Sequence, residues 1–192
     1  MSVQPSPSGF TRLIAVLGDS LSVSPSHDAS FPAVLQRRVD AAGSGWRVLN
    51  YGRNGDTTAQ GAARLDDVLA KAPHILVLAL GANDGLRGVP VQTVQRNLEA
   101  IITRASARGA RVLLCGMGAP PILGWRYSLD FHEIYPGLAR RHRLPLVPFL
   151  LTGVLGNRDL NREDRVHPNA RGAQRIADTI WPFLEAMLNR TA

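Results

Sequence analysis

Cysteine and lysine are almost missing from this sequence: one of each stands among 192 residues. With Cys115 alone, no disulfide can form within the chain, and a cysteine-rich metal site is excluded. Cys115 lies in the apolar run Val112–Leu113–Leu114–Cys115 and reads as a small buried thiol. Because Lys71 is the only lysine, the formal net charge of +7 is carried almost wholly by arginine. The arginines are spread along the chain. Their densest group, Arg140–Arg141–His142–Arg143, falls at the end of an expected helix, where cations complement the helix dipole. A nucleic-acid partner is therefore not expected, while a weak attraction for anionic lipid or phosphate-bearing substrates stays open. No apolar run is long enough to cross a bilayer, so stable membrane insertion is not expected either. Residues 1–10 are rich in Ser and Pro and lack a basic start followed by an apolar stretch, so they do not read as a secretory signal. They are expected to form a flexible tail ahead of one domain, 11–192. The protein is then cytoplasmic, or exported with its leader already removed. Internal repeats and dividing linkers are absent too, and the oligomeric state is left open.

What is present is an alternation of strand and helix patterns. Apolar runs predict strands over Leu13–Leu17, Arg47–Tyr51, Ile75–Leu80, Arg111–Cys115 and Pro145–Val147. Helical spacing predicts Phe31–Ala42, with Pro32 in its first turn and Gly43 after it, and Thr57–Lys71, with Ala62, Leu65, Val68 and Leu69 on one side. It also predicts Val91–Arg108, a weaker Leu129–His142 interrupted by Pro136, and Ala170–Leu188. Such alternation implies an α/β fold, a parallel sheet covered by helices on both faces. In sheets of this kind function sits at the carboxyl ends of the strands.

The segments after those ends carry the chemistry. Strand one is followed by Gly18–Asp19–Ser20–Leu21–Ser22, where a tight turn can present a serine hydroxyl; a plain helix cap is the competing role. It is not the G-x-S-x-G elbow of the α/β-hydrolases. Strand two is followed by Gly52–Arg53–Asn54–Gly55–Asp56–Thr57, where Gly55 allows an exposed amide, or where Asp56 or Thr57 merely caps a helix. After strand three, Gly81–Ala82–Asn83–Asp84–Gly85 offers an amide donor in Asn83, or a local Asx turn. Before the last helix stands Asp164–Arg165–Val166–His167, spaced so that the carboxylate can orient the imidazole; a metal pair is the other possibility, without further ligands to complete a shell. His27 is the rival base, because it lies near Ser20 in sequence. Its neighbour Asp28 would point away if that segment were extended.

These segments, L-G-D-S-L-S, N-G-D-T-T, G-A-N-D-G-L-R-G, I-Y-P-G-L-A and H-P-N, resemble those of the SGNH (GDSL-type) hydrolases. They are most similar to the bacterial thioesterase/protease/lysophospholipase group and its arylesterase relatives, over about residues 12–188. The resemblance implies a three-layer α/β/α flavodoxin-like fold with strand order 2-1-3-4-5. It implies Ser20 as nucleophile, His167 as base and Asp164 as its orienting acid, and an oxyanion hole from Ser20, Gly55 and Asn83. The implied reaction is hydrolysis of a small-molecule ester through an acyl-enzyme, with no metal or organic cofactor. Short- to medium-chain acyl or aryl esters are expected, with thioesters and lysophospholipids as further candidates. By similarity the stretch Gly116–Trp125 lines the acyl pocket, with Leu86, Ala119, Pro120, Ile122 and Leu123 as candidate lining. The glycines of Gly85–Leu86–Arg87–Gly88 would permit that segment to move over substrate. A carbohydrate acetylesterase of the same superfamily is the runner-up, and a non-catalytic flavodoxin-like module is the reading from another class.

Overall fold

The computed structural model describes residues 12–189. The segment 1–10, expected to be a tail, lies outside the described residues. Five strands, β1 (Arg12–Gly18), β2 (Trp46–Gly52), β3 (Ile75–Ala79), β4 (Arg111–Cys115) and β5 (Leu146–Val147), form one sheet of order β2-β1-β3-β4-β5. Every pairing is parallel, with Val16 beside Asn50 on one side and Val77 on the other. This is the flavodoxin-like arrangement, and two of its three inner strands show why the runs were legible. Ile14–Leu17 and Ile75–Leu80 are buried from end to end, because helices cover both faces and no alternation with polar residues is tolerated.

Among the described residues, seven α-helices flank the sheet: α1 (Phe31–Ala41), α2 (Thr58–Ala63), α3 (Leu65–Leu69), α4 (Ala82–Arg87), α5 (Val91–Ala107), α6 (Trp125–His142) and α7 (Ala170–Asn189). Helix α1 packs against α7, while α5 packs against both α2 and α6. The apolar side of α7, including Ile176, Ile180, Leu184 and Met187, is buried as its spacing required.

Three segments differ from expectation. The single helix expected over Thr57–Lys71 is two, broken at Arg64, whose guanidinium turns inward to the Asp56 carboxylate and the Gly18 carbonyl. The segment after β3, expected as a loop, is helix α4. Asn, Asp and Gly are poor helix formers, and tertiary contacts hold this turn instead, since both Asp84 carboxylate oxygens bond the start of α2. Helix α6 begins at Trp125 rather than Leu129 and continues through Pro136, because Phe131, Ile134, Tyr135 and Leu138 are buried on both sides of the proline.

Candidate active site

The carboxyl ends of β1, β2 and β3 bring three loops together. Directly after β1, Ser20 opens a 3-10 turn, Ser20–Ser22. The Asp19 carboxylate holds this turn by accepting from the Leu21 N–H at 3.0 Å. After β2, Gly55 has φ +77°, a left-handed conformation that glycine adopts without strain. Arg87 donates to its carbonyl at 3.0 Å, and Thr57 next caps α2 reciprocally with Gln60. After β3, Gly81 has φ +121°, and a Cβ there would meet the Tyr135 hydroxyl at 2.0 Å. That close approach sets Asn83 in the first turn of α4.

The fourth piece comes from far along the chain. A short antiparallel bridge between Asn161 and Pro168 closes the loop that carries Asp164 and His167. The Asp164 carboxylate accepts from the backbone N–H groups of Val166 and His167, each at 2.9 Å, and faces His167 Nδ1 at 2.8 Å. Those two amides and the imidazole hold the carboxyl well below the usual carboxylate range, so it stays ionised into acid. With Nδ1 protonated against that carboxylate, His167 Nε2 is an acceptor, and it lies 2.9 Å from Ser20 Oγ. Residues 147 apart in sequence are thus in hydrogen-bond contact. Asn169 anchors the far end of this loop, its side-chain oxygen accepting from the N–H groups of Arg171 and Gly172 at the start of α7.

Asn83 Nδ2 donates to the Asp56 carbonyl at 3.0 Å and, at 3.4 Å, to Asp19. The side chain therefore reaches across the site rather than closing a local Asx turn. Among the described residues, the N–H groups of Ser20 and Gly55 donate to no other group. Ser20, Gly55, Asn83 and His167 line one cavity of ≈ 350 Å³, together with Ser24, Asn54 and Arg162.

The expected acyl-pocket residues fall elsewhere. Leu86, Ile122 and Leu123 are exposed, Ala119 and Pro120 are half-buried, and none of the five lines that cavity. Ala119 and Leu123 do border α4. A Cβ on Gly85 would meet Ala119, and one on Gly88 would meet Leu123. Gly85, Leu86 and Arg87 belong to α4, with Gly88 as its left-handed cap. His27, the rival base, sits in a 3-10 turn rather than an extended segment and lines a separate hollow with Asp28, Pro32 and Arg37. His142 pairs with Glu99, and His74 accepts from the Leu13 N–H.

Sequence reasoning passed over a layer of buried charge beneath the site. Asp19 is fully buried, and burial pushes its carboxyl up to about 7, against the lowering effects of the Leu21 N–H and His167. Asp56 and Arg64 form a buried ion pair at 2.6 Å, and Asp84 ties α4 to α2. The available signal was repetition: each of the three loops carries an aspartate beside its candidate residue.

The sequence matches a known family. Residues 16–175 match the model of the GDSL-like lipase/acylhydrolase family. The chain belongs to that family. The Esterase TesA of Pseudomonas aeruginosa is similar to this GDSL-like chain at 39% identity over 92% of this chain and 90% of that protein. The thioesterase 1/protease 1/lysophospholipase L1 of Escherichia coli is 35% identical over 92% and 85% respectively. Among solved structures, the psychrotrophic esterase EstA from Pseudoalteromonas sp., inhibited by monoethylphosphonate, superposes with a TM-score of 0.87 at 31% identity, covering 93% of this chain and 99% of that one.

Proposed function

We propose that this GDSL-like acylhydrolase is a serine esterase, acting through Ser20, His167 and Asp164. The observation that carries this reading is the continuous chain from Asp164 Oδ2 to His167 Nδ1, and from His167 Nε2 to Ser20 Oγ, at 2.8 and 2.9 Å. Ser20 Oγ attacks the ester carbonyl carbon as His167 Nε2 takes its proton. The tetrahedral oxyanion receives the Ser20 and Gly55 N–H groups, which have no other acceptor among the described residues, and an Asn83 amide hydrogen. The contact from Asn83 to Asp19 is long and weak, which leaves that hydrogen free to turn toward the oxyanion. Collapse expels the alkoxide, which takes the proton from His167 and leaves an acyl-Ser20. Water, deprotonated by His167, then attacks the acyl carbon, and as the acid is released Ser20 Oγ leaves and takes that proton back from His167. Asp164 keeps the imidazole in the required tautomer and stabilises its charged form.

The substrates that fit are esters of short to medium acyl or aryl groups, with the apolar rim of Leu86, Ala119, Pro120, Ile122 and Leu123 beside α4 receiving the apolar part. A second reading, a carbohydrate acetylesterase, is favoured by the polar lining of the cavity at Ser24, Asn54 and Arg162. A fluorophosphonate is expected to label Ser20 alone, with labelling and p-nitrophenyl butyrate hydrolysis both abolished in Ser20→Ala. Label on Ser22 or Ser24 overturns the assignment. Cleavage of acetylated sugars with none of simple esters promotes the second reading.

A further inference from the structure

The cavity beside Ser20 carries an unbalanced charge. Among the described residues, its lining includes one permanent cation, the guanidinium of Arg162, and no carboxylate. The backbone of Arg162 is held on both sides: its N–H donates to the His167 carbonyl at 2.8 Å, and its carbonyl accepts from the Arg165 N–H at 2.9 Å. Its side chain is exposed and forms no hydrogen bond or ion pair among the described residues. Two other arginines near the site are engaged, Arg64 with Asp56 and Arg87 with Gly55, while Arg53 and Arg165 do not line the cavity. Asp164, two residues beyond Arg162, is engaged with His167.

Two further donors share the lining. Ser24 is only 6% exposed, and its hydroxyl makes no hydrogen bond among the described residues; neither does the side-chain amide of Asn54. A guanidinium, a hydroxyl and an amide around a concave space suit an oxyanion with several acceptor lone pairs. That anion is not the tetrahedral intermediate, whose oxygen is served by Ser20, Gly55 and Asn83. A cation on a concave polar wall also attracts anions from solution, since its field is focused there.

We propose that Arg162, with Ser24 and Asn54, forms an anion subsite that selects esters carrying a phosphate or carboxylate group away from the scissile bond. The proposal rests on the esterase reading above and names a substrate class for the same site. Arg162 is its specificity-determining residue, because its planar fork matches either anion.

The test uses three soluble esters with one acyl group: 1-butyrylglycerol, 1-butyrylglycerol 3-phosphate and butyryloxyacetate. The readout is the ratio of kcat/KM for each anionic ester to that for the neutral one. In the wild type at low salt the ratio is expected on the order of tenfold for at least one anionic ester, expressed mainly in KM. The arm that shows it identifies the anion as phosphate or carboxylate. Arg162→Gln is expected to bring the ratio to about one, Arg162→Lys to retain part of it, and Arg162→Glu to invert it. Arg158→Gln removes an equal charge from an exposed position outside the cavity and is expected to leave the ratio unchanged. A wild-type ratio of one for both anionic esters overturns the proposal. So does a ratio that survives Arg162→Gln, or one that falls equally in Arg158→Gln. Failure of the esterase reading looks different: no ester is cleaved, or Ser20→Ala cleaves as well as wild type. In that event calorimetric binding of glycerol 3-phosphate to Ser20→Ala still decides. Binding weakened on the order of tenfold by adding Arg162→Gln supports the subsite, and equal or absent binding refutes it.

Discussion

Single side chains in this site answer to burial as much as to chemistry. The proposed role of Asn83 as donor to an oxyanion has to be separated from its observed tie across the loops to Asp56 and Asp19. A donor that acts in the transition state lowers kcat when removed, with little change in KM. Asn83→Asp keeps the shape but turns the donor into a repelling carboxylate. Asn83→Ala and Asn83→Asp are expected to lower kcat on the order of 10²–10³-fold, measured on p-nitrophenyl butyrate, with folded circular-dichroism spectra. Near-normal turnover in the folded Asp variant would leave only the backbone amides to serve the oxyanion. Asp19 makes a separate prediction about pH. Its carboxyl rises from an ordinary value of 3.8 to about 7 because burial penalises the charged form. Between those values the unfolded chain has released this proton and the folded chain has kept it. The unfolded state binds fewer protons there, so this group lowers stability as pH rises from about 4 to about 7. Urea unfolding of Asp19→Asn, compared with wild type across that window, is expected to lack this fall. Parallel pH dependences in the two proteins would refute the assignment. Cys115 is fully buried, and its thiol is pushed up to about 12 by burial alone, which fits an inert core residue.

Elements position the site through buried polar contacts more than through their own propensities. Helix α4 has weak helix formers and exists because Gly81 admits the Tyr135 hydroxyl and Asp84 grips Thr58. The break between α2 and α3 coincides with Arg64, whose guanidinium serves both Asp56 and the Gly18 carbonyl, beneath the loops that carry Gly55 and Ser20. The side chains of Arg64 and Asp56 are only 8% and 10% exposed. Arg64→Met leaves the Asp56 carboxylate buried without its partner, a loss of about 3–5 kcal/mol. Asp56→Ala added to Arg64→Met removes the stranded charge and is expected to recover part of that loss in chemical denaturation. A single variant as stable as wild type would show that the pair contributes nothing. The recovery matters because the Asp56 carbonyl also receives Asn83, so esterase activity is expected to fall in Arg64→Met along with stability.

Across the whole molecule, the site exists only when both ends of the chain are folded together. Ser20 leaves β1, His167 precedes α7, and α7 packs on α1, which follows Ser20 in the chain. Urea midpoints read by ester hydrolysis and by circular dichroism are therefore expected to coincide. Activity lost well before the helical signal would mean that the Asn161–Pro168 loop opens on its own. Much of this was legible beforehand. Runs such as Ile75–Leu80 are buried on both faces and must be continuously apolar, so strand existence, order of elements and the parallel sheet followed from pattern. The proposed site residues were legible because Ser20, Gly55 and Asn83 follow strand ends and Asp164 and His167 stand before the last helix. Helix α4, the division of α2 from α3 and the length of α6 were not, because partners distant in sequence decide them: Thr58 for Asp84, Gly18 for Arg64, the core for the turns around Pro136. The apolar stretch from Ala119 to Trp125 could be seen as apolar, yet exposure is a property of the assembled surface, and there Ile122 is 90% exposed. Periodicity thus determined the α/β class, while the strand order and the candidate groups came from short motifs and from the family they resemble. Only the tertiary structure decided that the cavity beside Ser20 is polar and faced by Arg162, because which side chains share a space depends on contacts between loops over a hundred residues apart.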